Sequence, residues 1–164
     1  MNLEPPATHY LNAAIGWLGL GDADSAREEL GHIPRALQSH PDVLEVRWQV
    51  SAKAQKWNDC VEIANRLVEL SPRNPFGWIH RSYALHELKQ TREALDALLP
   101  ALTKFPKEWL IRYNLACYCC RLDQIDETMR FLEQACKLGE VKQVKEMARA
   151  DLDLQAVWDQ IAGI

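Results

Sequence analysis

No apolar run in this chain approaches the roughly 18 residues that a membrane span needs. Glycine is sparse at 7 residues and proline at 8, which excludes collagen-like and low-complexity architectures. There is no Gly-rich phosphate loop, dinucleotide fingerprint or nucleophile elbow. Nor does a basic tract or acidic tail mark a nucleic-acid or membrane partner. Up to Asn74, 7 Lys and Arg stand against 10 Asp and Glu; after it, 12 stand against 13, for a net charge of −4. The cysteines are odd in number at 5, and Cys117, Cys119 and Cys120 crowd together, so no disulfide framework is implied and a reducing cytoplasm is expected. The apolar stretch Tyr10–Leu20 follows Glu4, Pro5 and Pro6 instead of positive charge, and reads as a first helix, not a signal peptide. What is present is 164 residues, 48% hydrophobic: one soluble domain long enough to bury a core.

The dominant pattern is a repeat. Pro72 and Pro106 are 34 residues apart, as are Pro41 and Pro75, Leu44 and Trp78, Leu98 and Leu132, and Ala101 and Ala135. Copies starting at Ala7, Pro41, Pro75 and Trp109 each hold two apolar patterns of helical period. A short polar turn separates the two: Gly21-Asp22, Gln55-Lys56, Lys89-Gln90 and Asp123-Gln124. The unit is helix, turn, helix.

These residues resemble the tetratricopeptide repeat family. Its pattern has a large residue at position 4, small ones at 8, 20 and 27, apolar ones at 11, 17 and 24, and proline at 32. The third copy fits with Trp78, Ser82, Leu85, Ala94, Leu98, Ala101 and Pro106. The fourth fits with Leu115-Ala116, Ile125, Leu132 and Ala135, though Arg112 replaces the large apolar residue. In the first, Tyr10, Ala14, Trp17, Ala26 and Leu30 match and proline falls late, at Pro41. The second keeps Leu44, Trp57, Ala64 and Pro72 but has Trp48 at a small position and Cys60 at position 20. The resemblance implies an all-α fold, a helical-hairpin solenoid with a right-handed superhelix. A single domain is expected over residues 1–164, with repeats at 7–40, 41–74, 75–108 and 109–139 and a helical cap over 140–164. Within it, Trp48 should push its helix pair apart unless neighbours are trimmed, and Pro34 should kink or end a helix near Ile33. Asp153 is expected to cap a last helix over Leu154–Ile161. The run Ala150-Asp151-Leu152-Asp153-Leu154 resembles the tail ending some bacterial arrays, with Leu152 where that tail often has proline.

The family's ligand-facing positions are 2, 5, 9, 12 and 13. They carry over to Thr8, Leu11, Ile15, Leu18 and Gly19 in the first repeat, and to Asp42, Glu45, Gln49, Ala52 and Lys53 in the second. The third gives Phe76, Ile79, Tyr83, His86 and Glu87, the fourth Leu110, Tyr113, Cys117, Cys120 and Arg121. The apolar and aromatic character of the last two sets implies a partner-binding groove made of Phe76, Ile79, Tyr83, His86, Leu110, Tyr113, Cys117, Cys120 and Arg121. Its ligand is another protein or peptide, an extended segment or an amphipathic helix. As the alternative, the groove is filled by Met1–Pro6, by the final helix or by a second copy in a homodimer. The Lys and Asn residues with which some members clamp a C-terminal carboxylate are missing.

No catalytic residues, cofactor or metal are expected, so the chain reads as a non-enzymatic scaffold. Alternatives are a chaperone-type repeat protein for an exported hydrophobic substrate, and a thiol or metal site at Cys117 and Cys120. Zinc would need four close ligands, and Cys136 points elsewhere. An exposed thiol beside Arg121 could be reactive. His86-Glu87-Leu88-Lys89-Gln90 misses the zinc-protease helix pattern, since Gln90 replaces the second histidine. Arg47 and Arg81, at the usually apolar position 7, should pair with an acid or lay their stems along the core.

Overall fold

The structure is a computed structural model and describes residues 3–164. Its helices are α1 (Ala7–Gly19), α2 (Ala23–His32), α3 (Pro41–Lys53), α4 (Trp57–Leu70), α5 (Pro75–Glu87), α6 (Thr91–Leu98), α7 (Ala101–Lys104), α8 (Trp109–Arg121), α9 (Ile125–Leu138), α10 (Val141–Ala150) and α11 (Trp158–Ile161). Short 3-10 turns lie at Arg35–Leu37 and Leu152–Val157. The chain divides into two compact units, one ending at His80 and one starting at Arg81, inside α5.

The repeat is written into the backbone at its turns. Gly21, Gln55, Lys89 and Asp123, each 34 residues after the last, have φ of 84, 55, 66 and 60°. Each turn makes the same pair of bonds. The amide of the following residue reaches back to a carbonyl (Asp22 to Trp17, Lys56 to Ser51, Gln90 to Leu85, Gln124 to Cys119), while the left-handed residue itself bonds three residues back. This is the Schellman geometry that satisfies the last carbonyls of a helix. Only the first copy uses glycine, the residue that adopts the conformation without penalty.

Position 20 explains the closeness of the paired helices. Ala26, Cys60, Ala94 and Thr128 are all fully buried, as small residues between closely packed helices are. Thr128 satisfies its hydroxyl on its own helix, Oγ1 donating to the Gln124 carbonyl at 2.9 Å. In the N-terminal unit Leu11, Ala14, Leu30, Ile33, Val43 and Val46 form one core, and Leu3 packs against it. The second helix of the first repeat ends at His32 with extended Ile33, as Pro34 requires. Trp48 is accommodated, not expelled: it is buried, with its indole edge-on to His80 (centroids 4.4 Å) and Phe76 (6.0 Å).

In the C-terminal unit the second helix of the third repeat is broken. Pro100 has no amide to donate, and α6 stops at Leu98 before α7 resumes at Ala101. Arg81 reaches this break, its Nη2 donating to the Ala97 carbonyl at 3.1 Å. Arg81, at position 7, thus bonds a backbone carbonyl of the neighbouring helix.

Candidate partner-binding groove

Of the ligand-facing positions, 13 stays open in every repeat, with Gly19, Lys53 and Arg121 exposed and Glu87 half-buried, and position 9 is open in three. Ile15 is 49% exposed, Gln49 is exposed and Tyr83 is 39% exposed, but Cys117 in the fourth repeat is buried. Position 5 is closed at Leu11, Ile79 and Tyr113 and half-buried at Glu45. Phe76 and Leu110, at position 2, are both half-buried.

In the N-terminal unit the face around Phe76 is fixed by hydrogen bonds. Asn74 precedes α5, accepts from the Phe76 amide at 2.9 Å and donates through Nδ2 to Glu45 Oε1 at 2.7 Å. Burial raises the Glu45 carboxyl, Asn74 opposes that, and Asp42 adds to it. The Phe76 and His80 rings stack at 3.7 Å. Burial holds the His80 imidazole below its ordinary value.

In the C-terminal unit the chain closes its own fourth-repeat face. The segment after α10 turns back and packs on α8. Asp151 arrives beside α8, where its Oδ2 accepts from the Tyr113 hydroxyl at 2.9 Å and from the Cys117 thiol at 3.5 Å. Its Oδ1 accepts from the Asp153 amide at 3.0 Å, so Asp151 and not Asp153 caps the following turn. The expected Leu154–Ile161 helix is a 3-10 turn followed by the four residues of α11. Asp153 is freed for another contact: His86 Nε2 meets its Oδ2 at 2.8 Å while His86 Nδ1 faces Thr91 Oγ1 at 3.0 Å. Arg121 lies 3.6 Å from its other oxygen.

Leu154, Val157 and Ile161 behind these contacts are fully buried, worth roughly 1.5–3 kcal/mol each as an upper bound. A segment held by about 5–9 kcal/mol of apolar burial is a fixed part of the fold. Tyr113, Cys117, Cys120 and His86 are therefore internal in this structure, while Tyr83 and Arg121 are exposed. The other proposed filler, Met1–Pro6, is described only from Leu3; Met1 and Asn2 lie outside the described residues.

The expectation of an exposed thiol at Cys117 or Cys120 is corrected here. Both are buried, and desolvation pushes both thiols up, with the Asp151 carboxylate adding to the effect at Cys117. Arg121, the group that was to favour a thiolate, pairs with Asp153. Among the described residues no three His, Cys, Asp or Glu side chains are grouped so as to hold a metal ion. No helix is long and apolar enough to cross a membrane, again among those residues.

Asp151 and Asp153 are the site residues that sequence reading missed. A fold-back of the final helix was one of the alternatives; that Asp151 and Asp153 would be the residues to meet α8 and α5 was not visible.

No family model matches the chain, and no curated protein does. Solved structures do resemble it. MamA from Desulfovibrio magneticus, taken from its residue 41 to its end, superposes with a TM-score of 0.73 at 18% identity, over 99% of this chain and 94% of that one. A thermophilic TPR protein from Thermus thermophilus gives 0.70 at 19% identity, over 96% and 100%. MamA of strain MSR-1 gives 0.66 at 22%, over 79% and 74%. The fold is thus the all-α helical-hairpin fold of tetratricopeptide-type repeat proteins.

Proposed function

We propose that the chain is a non-enzymatic protein-interaction scaffold that holds a peptide or helix of another protein against the first helices of its repeats. The observation that carries this reading is Tyr83. It is a large aromatic residue, 39% exposed, at a position that faces ligand in the family's pattern. Exposed aromatics of this kind are the usual anchors of interfaces. The fourth-repeat residues contribute indirectly, by holding the Asp151–Asp153 segment that borders Tyr83. No nucleic acid is part of this reading, because no basic stripe exists to neutralise phosphates.

The test is capture of partners by the immobilised full chain from its native extract, comparing wild type with Tyr83→Glu and identifying eluates by mass spectrometry. Wild type should retain a protein that the variant loses, at equal helicity. Identical retention by both would sink the reading.

A further inference from the structure

Near Tyr83 in the C-terminal unit lies a shallow, open hollow of about 530 Å3, lined by Tyr113, Met147, Ala150, Asp151, Leu152 and Asp153. Its surface is mostly apolar, with two carboxylates in it. Leu152 is 71% exposed, although it follows a carboxylate that the fold has taken trouble to fix. The charge in the hollow is uneven. Asp153 has His86 and Arg121 as its ion-pair partners. Asp151 is held by a phenol, a thiol and a backbone amide, none of them cationic. Those three bonds use three of roughly four acceptor positions of a carboxylate, so one remains. A third carboxylate, Glu87, lies outside the lining and hydrogen-bonds to Tyr83.

We infer that this hollow seats a lysine or arginine side chain of a partner peptide, with the apolar stem over Met147 and Leu152 and the charged head at Asp151. This rests on the scaffold reading above and gives the partner its chemistry. The physical argument is complementarity. A carboxylate partly removed from water and matched only by neutral donors gains most from a cation brought to its free side. Long basic side chains bury their methylenes on apolar surface while keeping the charge at its edge. An acidic peptide would meet Asp151 and Glu87 with like charge, and a purely apolar one would leave the Asp151 charge as it is.

The experiment uses the full chain and a fluorescein-labelled decapeptide of alternating lysine and leucine, with a glutamate-for-lysine version as comparison, read by fluorescence anisotropy. The lysine peptide should bind about tenfold or more tightly than the glutamate peptide. Met147→Lys places a cation in the hollow and should weaken lysine-peptide binding by about fivefold or more at unchanged melting temperature. Asn12→Lys adds the same charge in the N-terminal unit and should leave the affinity unaltered. Equal binding of the two peptides, no binding of either, or equal effects of Met147→Lys and Asn12→Lys would each overturn the inference. In any of those cases Tyr83-dependent capture of a protein would still stand for the scaffold reading, so the two failures are distinguishable.

Discussion

His86 and Asp153 stand 67 positions apart in the chain and meet at 2.8 Å. The contact ties the last turn of α5 to the segment that closes the α8 face. The Asp153 carboxyl is held below its ordinary value by the His86 hydrogen bond first, then by the His86, Arg121 and Lys89 charges, against the opposing effect of its own burial. Its folded value thus lies below the unfolded value of about 3.9. The stability it contributes is present above that unfolded value and is lost as pH falls through the lowered folded one. Asp153→Asn should therefore lower the melting temperature at pH 7 and flatten its fall below about pH 4. Asp153→Ala should cost about 1.5–3 kcal/mol in urea unfolding at neutral pH. Parallel pH profiles for Asp153→Asn and wild type would show that the pair is not linked to stability.

The four turns give a second prediction. Gln55, Lys89 and Asp123 hold a conformation that costs an ordinary residue about 1–2 kcal/mol. Glycine removes that cost but adds about 0.4–1 kcal/mol of unfolded-state entropy. Each of Gln55→Gly, Lys89→Gly and Asp123→Gly should accordingly stabilise the chain by about 0.5–1 kcal/mol. Gly21→Ala should destabilise by about 1 kcal/mol or more, because its φ is 84°. Urea midpoints of the four variants settle the signs.

Two helical glycines should respond oppositely to alanine. Around Gly16 in α1 an added Cβ meets nothing within 4 Å, so Gly16→Ala should stabilise by about 0.5–1 kcal/mol. At Gly77 the same atom would stand 2.9 Å from the Val68 amide nitrogen and 3.0 Å from Leu67 Cβ. Backbone cannot step aside as a flexible side chain can, so Gly77→Ala should cost about 1–3 kcal/mol. Thermal melts that ranked the two alike would contradict the close approach of α4 and α5.

These residues also mark how much the sequence discloses. The turns were readable because a Schellman end is local: a polar pair between two helical patterns, recurring every 34 residues, suffices. Pro34 was readable for the same reason. The break at Pro100 obeys the same proline rule, yet the repeat pattern, which carries its second helix through Ala101 to Pro106, conceals it. The burial of Tyr113, Cys117 and Cys120 was readable only as one alternative, a groove filled by the chain's own final helix. Their positions face ligand in the family's pattern, and only the return of residues 151–157 changes that. The return depends on Leu154, Val157 and Ile161 finding a core, a long-range outcome. Asp153 likewise looked like a helix cap because capping is a local rule, and the capping role went to Asp151 while Asp153 reached His86.

That return segment also governs the thiols. All five cysteines are buried and free; burial pushes Cys60 and Cys119 up to about 11 and raises Cys117 well above its ordinary value. The native chain at pH 8 should therefore react with a disulfide reagent far more slowly than the five thiols counted in denaturant, since the thiolate is the reacting form. Leu154→Ala removes a fully buried side chain from the segment and should cost about 2–5 kcal/mol. If the segment seals the α8 face, the same variant should speed labelling at Cys117 and Cys120, identified by peptide mapping, while Cys60 in the N-terminal unit stays slow. Faster labelling spread evenly over all five would instead mean that Leu154 supports the whole chain's stability, and that the α8 face has no closure of its own.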